Sequence, residues 1–488
     1  MKGGALRSVI GKEFRALLPV SMAGGAAIAA STLAADDRIA AALFVFAYVA
    51  TSIALGALSI GHEYAHRTLP FLLAVPIARG RLFAAKVGVL AVMLAALSVL
   101  MWVTRPWPAA ASRDMVIPAA GLLFAPCCAL FLSPALTMLS RSTLGGAVFT
   151  LVIPALLLIG ADLAAAARFG ANQPALSDAF KLQLVAGALV ACCLVAAVTA
   201  PLLFRRLQAI ETNVGGIGDR QWRRYGAAGV AASRRRPVLW LLLIKELRLQ
   251  AMTFTLVALY LTLWLGMWAV GHADRGILPA MSTSYGLLLA ILAGALSSAE
   301  ERQHGTLEWQ LLLPMSARRQ WLVKVGVTLM VAVLVGSVLP FAVLHGDLVL
   351  PHWSSVMFVL ALTAISIHVS SVVTGGVRAL VVAILAIVIC SGALRWLQES
   401  ARVLSWIWDI DPIPLTAANV RQRLWWHAAV SSSAMGATIV TLLLFAYANH
   451  RSFAQPWRRV ARQGAVVFGL MALGVLALSS LRFARFVP

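Results

Sequence analysis

The chain has 488 residues, of which 61% are hydrophobic and only 12% are charged, with a mean hydropathy of +0.88. Soluble domains carry about 25% charged residues, so a soluble globular protein is excluded. Apolar runs of roughly 20 residues recur along the whole length, and each can cross a bilayer as a helix. The strong two-residue alternation of outer-membrane barrels is not evident. The sequence therefore predicts an all-α polytopic membrane protein.

The formal net charge of +22 does not indicate a nucleic-acid partner. Lysines and arginines cluster in the segments between the apolar runs, as the positive-inside rule expects of a membrane protein. The five cysteines lie within apolar runs and without zinc or disulfide spacing, so they are predicted to pack as small hydrophobic residues. They are Cys127, Cys128, Cys192, Cys193 and Cys390.

Four regions follow from the distribution of apolar and basic segments. Residues 1–204, the first half, open with the lead-in GKEFRALLP and contain spans near 17–35, 39–61, 83–104, 115–139, 144–167 and 182–204. Residues 205–243 form a basic cytoplasmic connector. Residues 244–447, the second half, open with IKELRLQ and contain spans near 251–271, 277–298, 325–345, 354–374, 376–396 and 427–447. Residues 448–488 hold a basic stretch and one more apolar run, 464–481, which either spans the membrane or lies in its interface.

One polar loop occurs twice. Residues 63–89, the first loop, align without a gap to residues 301–327, the second loop, at an offset of 238, and eleven of the 27 positions are identical. Each loop follows the second span of its half. The shared positions include Glu63/Glu301, His66/His304, Thr68/Thr306, Pro76/Pro314, Arg81/Arg319 and Lys86/Lys324.

The distribution of basic residues also predicts the orientation. Placing the N-terminus in the cytoplasm puts most lysines and arginines inside. Each half has six spans, an even number, so the two halves share one orientation and are predicted to be parallel repeats. With the C-terminal run the protein has 12 or 13 transmembrane helices, both loops are cytoplasmic, and a prokaryotic plasma membrane is the expected location.

Each loop combines a helix break, a short apolar run, a proline and a basic exit. A threonine is the predicted N-cap of a short helix. Its seven apolar residues cannot span, but they suit a helix on the inner membrane surface that ends at the proline. Arginines then face anionic headgroups or a partner's acidic groups, and a lysine at the start of the next span is expected to snorkel. The residues concerned are Thr68, Pro76, Arg79, Arg81 and Lys86 in the first loop, and Thr306, Pro314, Arg318, Arg319 and Lys324 in the second.

The first loop also raises the possibility of a zinc site. Residues 62–66 read His-Glu-Tyr-Ala-His, which fits the H-E-x-x-H pattern of zinc metalloproteases. The aligned copy, Glu-Glu-Arg-Gln-His, lacks the first histidine. A membrane metalloprotease that uses His62, Glu63 and His66 is therefore kept only as an alternative.

Two sequence features bear on the source of energy for any transport: the motif for binding ATP and the ionisable residues within the spans. A phosphate-binding loop needs the sequence G-x-x-x-x-G-K-[ST], and no lysine in this chain is followed by Ser or Thr. ATP and Mg²⁺ would thus be bound by a partner, and no catalytic, cofactor or metal residue is predicted. Ionisable residues within the spans are sparse, which disfavours the other alternative, an ion-coupled secondary transporter.

The doubled loop, together with the K-E-(F/L)-R lead-ins, resembles the permease subunits of type-2 ABC exporters. The resemblance implies that each loop forms a coupling helix that docks on one of two separate ATPase subunits. Typical members have six spans and dimerise, whereas this chain resembles two permeases fused, with an extra C-terminal run. The coupling residues that the resemblance implies are Glu63, Arg67, Thr68, Pro76, Arg79, Arg81, Glu301, Arg302, Gly305, Thr306, Pro314, Arg318 and Arg319.

Overall fold

A computed structural model gives the fold of most of the chain. It describes residues 2–31, 37–65, 68–74, 77–104, 119–169, 174–207, 238–269, 277–304, 315–344, 352–407, 417–452 and 457–480. Every regular element in these ranges is a helix. The all-α fold predicted from composition is confirmed.

The first half contains eight helices in the described ranges. Two of them, α5 and α6, are separated only by the π-helical turn Cys128–Leu132 and continue one another. The helix α3 has six residues and lies in the first loop. The bounds are α1 Lys2–Ser31, α2 Asp37–Ala65, α3 Leu69–Ala74, α4 Arg79–Thr104, α5 Ala119–Cys127, α6 Ser133–Ser140, α7 Thr143–Phe169 and α8 Pro174–Arg206.

The remaining described helices belong to the second half and the C-terminal region. Here the lead-in and the first span are separate helices, α9 and α10, and a second π turn, Leu334–Val338, joins α12 to α13. The bounds are α9 Val238–Leu249, α10 Ala251–Ala269, α11 Ile277–His304, α12 Ala317–Val333, α13 Leu339–Val343, α14 His352–Ser370, α15 Gly376–Ile407, α16 Ala417–His450 and α17 Trp457–Ser480.

Membrane-spanning character is evident from the helices themselves. Within the described ranges, 12 helical stretches are long and apolar enough to cross a bilayer, and α7 adds a shorter apolar stretch, Thr143–Leu158. Each span predicted from the sequence falls on one of these helices. The C-terminal run, whose path the sequence left open, forms α17 and contains the candidate span Arg458–Ser479. The protein is therefore a multi-pass membrane protein.

The two halves share one apolar core. The core draws Leu17 and Leu55 from the first half and Leu256, Leu289 and Ile384 from the second. Helix α1 packs against α15, and α7 packs against α10. In both contacts the first span of one half meets the fifth span of the other.

Two glycines separated by the same offset of 238 allow close helix crossings. A Cβ added at Gly56 of α2 would lie 2.3 Å from the carbonyl oxygen of Ala129, and one at Gly294 of α11 would lie 2.7 Å from that of Thr363. Small residues let membrane helices approach this closely. The crossings lie on α2 and α11, the helices that carry the glutamates described next.

Two buried charge clusters as the candidate functional site

The first cluster joins three helices at the start of the first loop. Lys86 of α4 places its Nζ 2.5 Å from Glu13 Oε1 of α1 and 3.2 Å from Glu63 Oε1 at the end of α2. Lys12 Nζ of α1 lies 2.9 Å from the same Glu63 oxygen. His62 Nε2 lies 3.2 Å from Glu63 Oε1 and 3.7 Å from Glu13 Oε2. The lead-in, the second span and the third span are thereby held together by charge.

The second cluster repeats this arrangement in the second half. Lys324 of α12 and Lys245 of α9 both form ion pairs with Glu301 at the end of α11. Glu246 of α9 lies beside them, with its Oε1 3.6 Å from Lys245 Nζ. The same three structural elements meet again: lead-in, second span and third span.

The lysine at the centre of each cluster is fully buried. Lys86 is 1% exposed and Lys324 is 0% exposed. Each also donates to a carbonyl oxygen one turn before the glutamate, that of Ser59 at 3.3 Å and that of Ser297 at 3.0 Å. The prediction that these lysines snorkel is wrong, because carboxylates within the protein supply the countercharge that a buried ammonium needs.

The lead-in glutamates differ between the clusters. Glu13 accepts a hydrogen bond from Lys86 at Oε1 and has no hydrogen-bond partner at Oε2. The buried Glu246 has no hydrogen-bond partner at Oε1, which lies 3.6 Å from Lys245 Nζ. Burial raises the pKa of Glu246, and the nearby Glu301 carboxylate raises it further, while Lys324 and Lys245 act in the opposite direction. The second cluster therefore carries a carboxyl group that is poorly satisfied when ionised.

The first loop forms the short helix that the sequence predicts. Helix α3 begins directly after Thr68, and the Thr68 hydroxyl donates to Glu63 Oε2. Within α3, Leu72 is buried and Phe71 is 76% exposed. The Thr68 contact fastens the start of α3 to the first cluster, while the exposed face of α3 remains available to another molecule or to lipid.

Five of the expected partner-facing residues differ clearly in exposure. Arg81, Arg318 and Arg319 are exposed, as a docking role requires. Glu63 and Glu301 are 0% and 2% exposed, so the expectation that they face a partner is wrong. Their carboxylates are taken up by the buried lysines, and they position the loops from inside.

Two arginines expected to face a partner instead bind the ends of helices. The Arg79 guanidinium donates to the carbonyl oxygens of Arg205 and Leu207, at 2.6 and 2.7 Å, at the end of α8. Arg302 donates to the carbonyl oxygen of Asn449, at 2.8 Å, near the end of α16. The last carbonyl groups of a helix lack intrahelical partners and attract cations. Each loop is thus anchored to the last span of its own half.

Some predicted coupling residues lie outside the described ranges. The short helix predicted for the second loop also falls there, as does His66 of the zinc alternative. Their predicted roles stay predictions. They are Arg67, Pro76, Gly305, Thr306 and Pro314.

The first cluster contains a set of donor atoms that could hold a metal ion. One ligand atom each from Glu13, His62 and Glu63 lies within 4.8 Å of the others. Lys12 and Lys86 already donate to Glu63 Oε1, and Thr68 donates to Oε2, so this carboxylate is fully engaged. A metalloprotease needs the glutamate free to activate water. The geometry thus gives the zinc alternative no support.

The sequence prediction missed the contribution of the lead-ins to the clusters. Lys12-Glu13 and Lys245-Glu246 form the repeated Lys-Glu pair of those lead-ins, and both pairs lie against the loop glutamates. The repetition of the pair was the available signal. Its position 50 or more residues before the loop gave no indication of contact.

The chain matches no protein-family model, no curated protein and no solved structure. The site must therefore be interpreted from its own geometry.

Proposed function

We propose that the chain is the membrane subunit of an ATP-driven exporter, built from two fused permease halves and coupled to two separate ABC ATPase subunits. The duplicated charge cluster is the observation that carries the proposal. Each cluster ties a loop to three helices of its half, and exposed arginines lie on both loops. Two loops anchored in the same way suit a protein whose movement is driven by two ATPase subunits, one at each loop.

The proposed mechanism transmits movement through the clusters. ATP and Mg²⁺ bind to the partner subunits, and their closure displaces the two loops. In the first half the movement passes from α3 through Thr68 to Glu63, and from there to α1, α2 and α4. The halves then move against each other along the contacts of α1 with α15 and of α7 with α10, which opens a path for the exported substrate.

Localisation follows from the same proposal. The loops and the N-terminus face the cytoplasm of a prokaryotic cell, and the chain crosses the inner membrane. The excess of basic residues on that side supports this orientation.

Charge reversal at the exposed arginines tests the proposed docking. The double variant Arg318→Glu, Arg319→Glu should lose most of the co-purifying ATPase activity, because it places negative charge on the docking surface. Arg458→Glu, at another exposed arginine near the start of α17, is the matched control and should retain it. Equal retention in both variants, with unchanged substrate-stimulated hydrolysis, would rule out the docking role.

One observation favours a second candidate, an ion-coupled transporter. Glu13 and Glu63 are buried carboxylates within candidate spans, and such groups commonly carry ions or protons. Transport into proteoliposomes by the purified chain, driven by an ion gradient without ATP or partner, would establish this candidate instead.

A further inference from the structure

The extra C-terminal helix is joined to the second half by a pair of buried amides. Asn449 of α16 is 0% exposed and Gln463 of α17 is 6% exposed. Gln463 Nε2 donates to Asn449 Oδ1 at 3.1 Å, and Asn449 Nδ2 donates to Gln463 Oε1 at 3.2 Å. Asn449 Nδ2 also lies 3.2 Å from Ser371 Oγ, just after α14. This set of contacts, the amide clamp, connects three segments.

The same end of α16 binds Arg302, at the start of the second loop. The carbonyl oxygen of Asn449 accepts from Arg302 at 2.8 Å, and that of Ala448 accepts from Arg459 of α17 at 3.0 Å. Arg302 directly follows Glu301 of the second cluster in the sequence. The position of α17 is therefore linked, through α16, to the last turn of α11.

The first half has a different anchor at the corresponding place. There Arg79, within the first loop, binds the end of α8. Among the described residues, α17 is the last helix and packs against α16 and α15 of the second half. Val467 of α17 completes a small apolar cluster with Ala364, Ile439 and Leu442.

We propose that α17 is a positioning element for the second loop, and that Gln463 and Asn449 are the residues through which it acts. A buried amide left without its partner is costly, so the clamp holds α16 in one position relative to α17. That position presents the Asn449 carbonyl oxygen to Arg302. In the exporter this makes docking at the second loop, but not at the first, depend on the C-terminal helix. The docking part of the inference rests on the proposed function.

Hydrogen–deuterium exchange of the purified chain tests the positioning without any partner. The variant Gln463→Leu should raise amide exchange in the last turn of α11, residues 300–304, by about five- to tenfold, because Arg302 loses a fixed acceptor. Exchange at the end of α2, residues 61–65, should stay unchanged. Val466→Ala, at a half-exposed residue of the same helix, is the control and should alter neither region.

A general loss of stability would raise exchange in both regions, and that outcome, or no change at α11, overturns the proposal. If Gln463→Leu does not fold, Gln463→Asn serves instead, because it shortens the side chain by one methylene and keeps the amide. Co-purification of the ATPase is measured separately. Selective exchange at α11 with unaltered ATPase binding would uphold the positioning role and count against the proposed docking.

Discussion

The two charge clusters share a lead-in Lys-Glu pair, a loop glutamate and a central lysine in the same order along the chain, and the first also includes His62, yet their ion pairs differ. In the first, Lys86 bridges Glu13 and Glu63. In the second, Lys324 pairs with Glu301 and leaves Glu246 Oε1 without a hydrogen bond. The comparison shows that a duplicated motif conserves which helices meet while allowing the individual ion pairs to diverge.

Removal of the central lysine should have the largest effect. Lys86→Met removes the lysine that binds the buried Glu13, and loss of one partner of a buried pair costs about 3–5 kcal/mol of stability. Adding Glu13→Gln should recover part of that loss in the first half. The corresponding addition of Glu246→Gln to Lys324→Met should recover much less, because Lys324 binds Glu301 and not Glu246.

Thermal unfolding in detergent of the wild type, the four single variants and the two double variants, arranged as two double-mutant cycles, measures the difference. A coupling energy between Lys324 and Glu246 as large as that between Lys86 and Glu13 would contradict the two patterns of ion pairs.

The lead-in glutamates should differ when they are changed alone. Glu13→Gln loses a charged hydrogen bond to Lys86 and should destabilise the protein by about 1–3 kcal/mol. Glu246→Gln removes a charge that has no hydrogen bond at Oε1, so it should be neutral or slightly stabilising at pH 7. The same unfolding measurement compares them, and equal losses would show that Glu246 is paired as well as Glu13.

The sequence predicts much of this molecule, for identifiable physical reasons. Composition and apolar run length are sufficient to predict the spans, since each apolar run is by itself long enough to cross the bilayer as a helix. The short run after Thr68 is also sufficient to predict α3. What the sequence could not predict is which charges are buried. Lys86 and Lys324 lie at span ends, where a lysine that snorkels and a lysine that is buried give the same sequence pattern. Only the position of the lead-in carboxylates in the fold distinguishes the two cases.

The roles of single loop residues were harder to predict than the existence of the loops. Arg79 and Arg302 were expected at a partner surface because the resemblance to ABC exporter permeases implies it. Both arginines instead bind carbonyl oxygens at the ends of α8 and α16, which are distant from them in sequence. The amide clamp of α17 depends on the same long-range packing and left no periodic or motif signal.

The smallest expected effect is a pH dependence that belongs to the second cluster alone. Burial raises the pKa of Glu246 in the folded protein, so its contribution to stability is fully present below its ordinary pKa of about 4.3 and is lost as pH rises through the folded value. The unfolding temperature of the wild type should therefore fall relative to that of Glu246→Gln as pH increases from about 4.3. The measurement needs only the two proteins over a pH series, because carboxylates common to both cancel. A difference independent of pH would mean that Glu246 has the same pKa folded and unfolded, and that the second cluster satisfies its lead-in glutamate after all.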